Sequence, residues 1–254
     1  MTTVIVSDSE AACDSLWTYT DGSKAESNIH KYLYLSGYAI EGYTPDPFIV
    51  FYSGTYRQIV LHQALMLNLI DSTVYMTVSN WLSDRGENRL EYIQIRIIDW
   101  NITSEFNIGS KNQVRYAGSG GEYAADYYPK CYNVYTCVSH AISLDNLSGP
   151  DVSHFSKDGK QQVHIIEVTQ VMYDTLYIEV EGIVQSYKEE KNMPIEIKQT
   201  APDGKEINRT ELEGAISNSI KNIKKEENVS TLWINNKNAK KKENIIKKKG
   251  KITL

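Results

Sequence analysis

Cysteine is scarce in this chain of 254 residues, with only Cys13, Cys131 and Cys137. None of the three forms a CxxC spacing, and an odd number does not close a disulfide framework, so they read as small buried apolar residues. Long hydrophobic runs are missing too, and the start carries neither the basic nor the apolar region of a secretory signal. A cytoplasmic protein is the expectation. The five histidines, His30, His62, His140, His154 and His164, show no HExxH or other paired spacing, which argues against a metal centre. There is no Walker-type phosphate loop either, and no cofactor is expected.

What the chain does contain is divided unevenly. Residues 1–185 hold 11 Lys and Arg against 22 Asp and Glu, a balance of −11, whereas residues 186–254 hold 16 against 10, a balance of +6. The first part is rich in Tyr, Val and Ile; the second runs through KEEK, KNIKKEE and NAKKKENIIKKKGK. One globular domain over 1–185 is expected, followed by an extension over 186–254 with a helix near 209–225 and a solvated basic end. A charge run without interleaved aromatics argues against nucleic acid as the partner.

Hydrophobic periodicity places the elements. TTVIVS and AACDSLWTYT read as an N-terminal hairpin, PFIVFYSG as a strand ending in small residues, and TYRQIVLHQALMLNLI as a helix with a broad apolar face. EYIQIRIIDW and NQVRYAG read as strands, GGEYAADYY and CYNVYTCVSHAISLD as helices, and QVHIIEVTQ with LYIEVEGIV as a closing hairpin. Strands grouped around grouped helices imply sheets covered by helices, not an alternating βαβ chain.

The first residues carry the sharpest chemistry. Removal of Met1, which the small second residue permits, leaves Thr2 with a free α-amine beside its own hydroxyl, a nucleophile and base in one residue. A nearby cation biases both groups toward their deprotonated forms, and Lys31 fits that role, with Asp14 as the carboxylate that holds it. Gly54 closes an apolar strand just before a helix, where its N–H is placed to meet a developing oxyanion. In GSGGEYA, the glycines beside Ser119 allow close backbone approach.

Taken in order, Thr2-Thr3 before a strand, Ala12-Cys13-Asp14-Ser15, His30-Lys31-Tyr32-Leu33, Phe51-Tyr52-Ser53-Gly54, Gly118-Ser119-Gly120-Gly121 and Asp145-Asn146-Leu147-Ser148-Gly149 resemble one family over residues 2–184. That family is the proteasome β subunits and the peptidase subunit of bacterial ATP-dependent proteasome-like proteases, which are N-terminal-nucleophile hydrolases. The resemblance implies an α/β (α+β) fold, a four-layer αββα sandwich of two antiparallel sheets between helix layers. It implies a catalytic set of Thr2, Asp14, Lys31, Gly54, Ser119, Asp145 and Ser148. It further implies that Thr18 and Tyr56 flank a substrate bound as an added strand, and that Tyr52 lies near the first specificity pocket. Where the family usually has a second glycine after Ser148-Gly149, this chain has Pro150.

The functional expectation is therefore a threonine-type peptidase acting on peptide or unfolded protein, in a homo-oligomeric ring, with an ATPase unfoldase as a possible partner. Two alternatives stand beside it: an amidohydrolase of the same mechanism acting on a small amide, and a non-catalytic structural protein on the same fold.

Overall fold

The computed structural model describes residues 2–18, 24–25, 27, 29–35, 46–158 and 170–191. The chain divides into two compact units, residues 1–205 and 206–254, and all described residues lie in the first.

The β-branched run after Thr3 forms β1 (Val4–Val6), which pairs antiparallel with β2 (Glu10–Asp14), Val4 opposite Cys13 and Val6 opposite Ala11. Ser7 shapes the turn between them. Its amide donates to the Glu10 carbonyl at 2.8 Å, and its Oγ accepts the Glu10 amide at 3.0 Å. On its other edge β1 pairs with β10 (Val114–Ala117), which pairs with β9 (Gly109–Lys111), while β2 pairs with β11 (Val152–Ser156). The result is a five-stranded antiparallel sheet, β11-β2-β1-β10-β9. A second antiparallel sheet runs β5 (Tyr32–Leu35), β6 (Phe48–Gly54), β7 (Leu90–Arg96), β8 (Asn101–Phe106). A small ladder joins β3 (Trp17–Thr18) to β4 (Lys24–Ala25).

Period-two alternation sorts the side chains between layers. Val4, Val6, Ala11 and Cys13 of the first sheet meet Tyr32, Ile49, Phe51, Ile93 and Ile95 of the second in one buried core. Ile5, Ala12 and Val114 face the opposite way, onto α3 (Gly121–Cys131) and α4 (Val134–Leu144) through Ala124, Ala125, Val134, Val138 and Ala141. Behind the second sheet lie α1 (Tyr56–Met66), α2 (Ser72–Ser83) and α5 (Gln170–Lys191). Gln58 ties α1 to α2, its Nε2 donating to the Ser79 carbonyl at 3.0 Å and its Oε1 accepting from Ser79 Oγ at 2.7 Å. Helices, sheet, sheet, helices: this is the α+β sandwich of two antiparallel sheets that the sequence implied. Each fully buried Val, Leu, Ile or Phe contributes roughly 1.5–3 kcal/mol to holding the layers together.

Some elements differ from the sequence reading. LYIEVEGIV is helical, within α5, not a strand. Its apolar residues fit a strand by alternation, but Leu176, Tyr177, Val180, Ile183, Val184 and Tyr187 are the buried ones, and that spacing is helical. The second strand of the hairpin stops at Asp14, because the Asp14 carboxylate takes the Leu16 amide at 3.1 Å and turns the chain out of the sheet into β3. The start of α2 is capped by Asp71, which accepts the Val74 amide at 2.8 Å. The run VSHFS, given no element from sequence, is the edge strand β11. QVHIIEVTQ up to Thr169 and the helix expected at 209–225 lie outside the described residues. α5 passes through Gln185 without a break.

Candidate active site

The candidate residues converge where β1 begins. Thr2 and Thr3 precede the central strand of the first sheet, and both are buried, Thr2 at 1% exposure. The Thr3 amide donates to Asp14 Oδ1 at 2.7 Å, while the amides of Gly149 and Leu16 donate to Oδ2 at 2.8 and 3.1 Å. Asp14 is thus fixed by three backbone donors from three parts of the chain.

Lys31, just ahead of β5, reaches the same carboxylate from the second sheet. Its Nζ lies 3.4 Å from Asp14 Oδ1 and also donates to the Leu16 carbonyl. The Trp17 ring sits beside the ammonium, 5.2 Å from Nζ to the ring centre, and is held by its own Nε1–H donating to the Ile29 carbonyl at 2.8 Å. Burial pushes the Asp14 carboxyl above its usual range and the Lys31 ammonium below its own. Each acts against the shift in the other, and the three amides also favour the Asp14 anion.

On the opposite side stands a second carboxylate. Asp145, at the end of α4, accepts from Ser119 Oγ at 2.5 Å and from Ser148 Oγ at 2.9 Å through Oδ2, and from the Leu147 amide at 3.0 Å through Oδ1. Burial works against this anion, but the Ser119, Leu147 and Ser148 donors outweigh it and bring the carboxyl below its usual range. Because Ser148 gives its proton to Asp145, the 2.7 Å contact between Thr3 Oγ1 and Ser148 Oγ runs from Thr3 to Ser148. Thr3 therefore touches both carboxylate clusters, one by its amide and one by its hydroxyl.

The loop after β10 closes over this point with no space for side chains. A Cβ on Gly118 (φ +83°) would meet the Thr2 carbonyl oxygen, and one on Gly120 would meet Thr3 Oγ1 and come within 2.8 Å of Ser148 Oγ. Gly54 ends β6 with φ +129°, its Cα face against the Arg89 carbonyl, which also accepts the Thr55 amide at 2.7 Å.

The structure thus brings Asp14, Lys31, Ser119, Asp145 and Ser148 together around Thr3, with Thr2 next to it in the chain and the Thr2 carbonyl against Gly118. Tyr56 starts α1 and packs edge-on against Trp17, centroids 4.9 Å apart. Thr18 lies in β3. Tyr52 is fully enclosed, its hydroxyl 3.2 Å from His62 Nδ1 on the helical side of the second sheet. Sequence reasoning missed Thr3, Trp17, Gly149 and Glu91 as parts of the surroundings. Only Thr3 left a signal, in the duplicated threonine; Gly149 acts through its amide, Trp17 through its ring face and Glu91 through a carboxylate that meets a loop distant in sequence, none of which spacing reveals. Among the described residues no group of His, Cys, Asp and Glu has the arrangement of a metal site, and no helix is long and apolar enough to cross a membrane.

No protein-family model matches the sequence, and neither does any curated protein. Among solved structures the chain is similar to Thiobacillus denitrificans BPH in complex with epoxomicin, with 17% identity over 61% of this chain and 96% of that one and a TM-score of 0.40. It is similar to HslV from Trypanosoma brucei, with 15% identity over 61% and 97% and a TM-score of 0.37. It is also similar to Anbu, an ancestral beta-subunit, from Yersinia bercovieri, with 10% identity over 78% and 100% and a TM-score of 0.41. These structures are of the proteasome-like group that the ordered motifs of the sequence resemble.

Proposed function

We propose that the chain is a threonine-type peptidase whose nucleophile is Thr2 once Met1 has been removed. The observation that carries this reading is the buried Asp14–Lys31 pair locked directly to the Thr2–Thr3 backbone. Two charges taken out of water are costly, and an apolar pair serves stability as well or better. A lysine held there against that cost suits a working charge beside Thr2 instead.

In the proposed reaction Thr2 Oγ adds to the carbonyl carbon of the scissile amide while the Thr2 α-amine takes the hydroxyl proton. Lys31 favours the alkoxide by its charge, and the Gly54 N–H receives the oxyanion. Collapse breaks the C–N bond, the leaving amine carries off the proton from the Thr2 ammonium, and an ester remains on Oγ. Water then gives a proton to the amine and attacks that ester, releasing the acid and restoring Thr2. Asp145, Ser119 and Ser148 hold the amine side of the site, while Thr18 and Tyr56 border the substrate strand. A homo-oligomeric ring fed by an ATPase belongs to the same reading.

The test is intact-mass analysis of the purified chain before and after an epoxyketone, which needs both the hydroxyl and the free amine of a terminal threonine. Loss of Met1 and a single adduct on Thr2 are expected, with Thr2→Ala folded but unlabelled and unable to cleave peptides. Peptide turnover by Thr2→Ala at the wild-type rate would sink the mechanism.

A further inference from the structure

Glu91 lies second in β7, opposite Ser53 of β6, and its side chain turns into the joint between the two sheets with the residue only 8% exposed. One oxygen, Oε1, accepts from Arg89 Nε at 2.8 Å. The other, Oε2, accepts the backbone N–H of Gly118 at 2.7 Å. Arg89 is 45% exposed along its side chain, so that ion pair contributes little. The Gly118 contact is different: it is part-buried, charge-assisted and runs from one sheet to a loop of the other.

That loop is the one on which the Thr2 site depends. Gly118 lies between the Thr2 carbonyl and the Ser53 hydroxyl, which has no hydrogen-bond partner among the described residues. The next residue, Ser119, makes the 2.5 Å bond to Asp145, and Gly120 lies on Thr3 Oγ1. A loop that starts with a glycine at φ +83° has no stiffness of its own at that point. Something must hold its first N–H, and the second sheet supplies the carboxylate.

From this geometry we propose that Glu91 is a positioning residue for the Thr2 site, acting through Gly118 to set the place of Ser119; the role rests on the reading of Thr2 as nucleophile given above. Glu91 touches neither substrate nor reacting atoms. Its effect belongs in the chemical step, because a displacement of about 1 Å in a catalytic constellation costs on the order of 100-fold in rate, while substrate contacts stay where they are.

The experiment compares wild type, Glu91→Gln and Glu91→Leu, each with Met1 removed, by peptide turnover, by the rate of epoxyketone labelling at Thr2, and by hydrogen exchange of the segment 115–121. Glutamine keeps an oxygen for the Gly118 N–H; leucine keeps the volume and loses the acceptor. Expected are kcat and labelling down by about 10- to 100-fold in Glu91→Leu with KM within about threefold. Exchange at 115–121 should be faster in that variant, and Glu91→Gln should stay within about threefold of wild type on every reading. Labelled wild type with Glu91→Leu equally fast and equally protected overturns the role of Glu91 alone. Equal losses in both variants overturn it as well, since the acceptor would then not matter. Wild type that takes no adduct at Thr2 overturns the reading of the nucleophile, and the catalytic role of Glu91 with it.

Discussion

Lys31 keeps its ammonium where water does not reach, 3% exposed, against one carboxylate, one carbonyl and the face of Trp17. Removing it leaves Asp14 buried and uncompensated, which typically costs 3–5 kcal/mol. Lys31→Met is therefore expected to lower stability by about that amount and Thr2 labelling by about 100-fold or more. Lys31→Arg separates the two effects: it restores a cation, and so most of the stability in chemical denaturation. It does not restore labelling, because the planar guanidinium fork does not reproduce the ammonium's contacts with Asp14 and the Leu16 carbonyl and so misplaces the charge beside Thr2. An arginine variant as reactive as wild type would show that charge alone is required of residue 31. Asp14, Lys31, Ser119, Asp145 and Ser148 were legible in the sequence because each stands in a short motif. Gly149 was not, since what it contributes is an amide proton, which every residue but proline has, and of Thr3 only the hydroxyl is visible in the letter while its amide bond to Asp14 is not.

Elements place these groups by ending where they do. β2 stops because Asp14 turns its carboxylate to the amide two residues on, β6 stops in Gly54 against the Arg89 carbonyl, and β10 gives way to a glycine loop. The tightness of that loop is testable at Gly120, where a methyl group would lie 1.9 Å from Thr3 Oγ1 and 2.8 Å from Ser148 Oγ. Gly120→Ala is expected to lose about 1–3 kcal/mol of stability, as overpacked sites do, and to label at least about tenfold more slowly. Labelling and melting like wild type would mean that the loop has slack. Strands and helices near the site were readable because one face of each is apolar at a single period. The Leu176–Val184 stretch was not, because its apolar residues satisfy both periods, and only packing against α1 and α2 selects the helical one. β11 escaped notice because Val152–Ser156 carries serine and histidine, one of which, His154, is buried beside Glu10 at the sheet edge.

Across the whole molecule, acid should be destabilising well before the carboxylates are reached. His62 is enclosed by Tyr52, Tyr75 and Tyr92, and burial lowers its pKa from 6.5 to about 4. The folded state therefore binds fewer protons than the unfolded chain between those values. The contribution is fully present above pH 6.5 and is lost progressively as pH falls to about 4, up to on the order of 3 kcal/mol. His62→Gln, which retains a partner for Tyr52, should flatten the stability profile in that window; His30 and His154, shifted in the same direction by burial, leave part of the slope. An unchanged slope in His62→Gln would mean that the ring takes up its proton in the folded state.

The central position of β1 also sets an order of events. Its strand is hydrogen-bonded on both edges, to β2 and to β10, and Thr2 beside it is closed off from solvent. A peptide bond preceding such a residue is out of reach of an external aminopeptidase once the sheet has formed. On the proposed reading of Thr2 as nucleophile, trimming would have to outrun the pairing of β1, during or just after synthesis, or else be carried out from within by the folded site. The share of molecules with a usable Thr2 would then be decided by a race between processing and folding, and would change with expression rate and temperature while the sequence stayed the same.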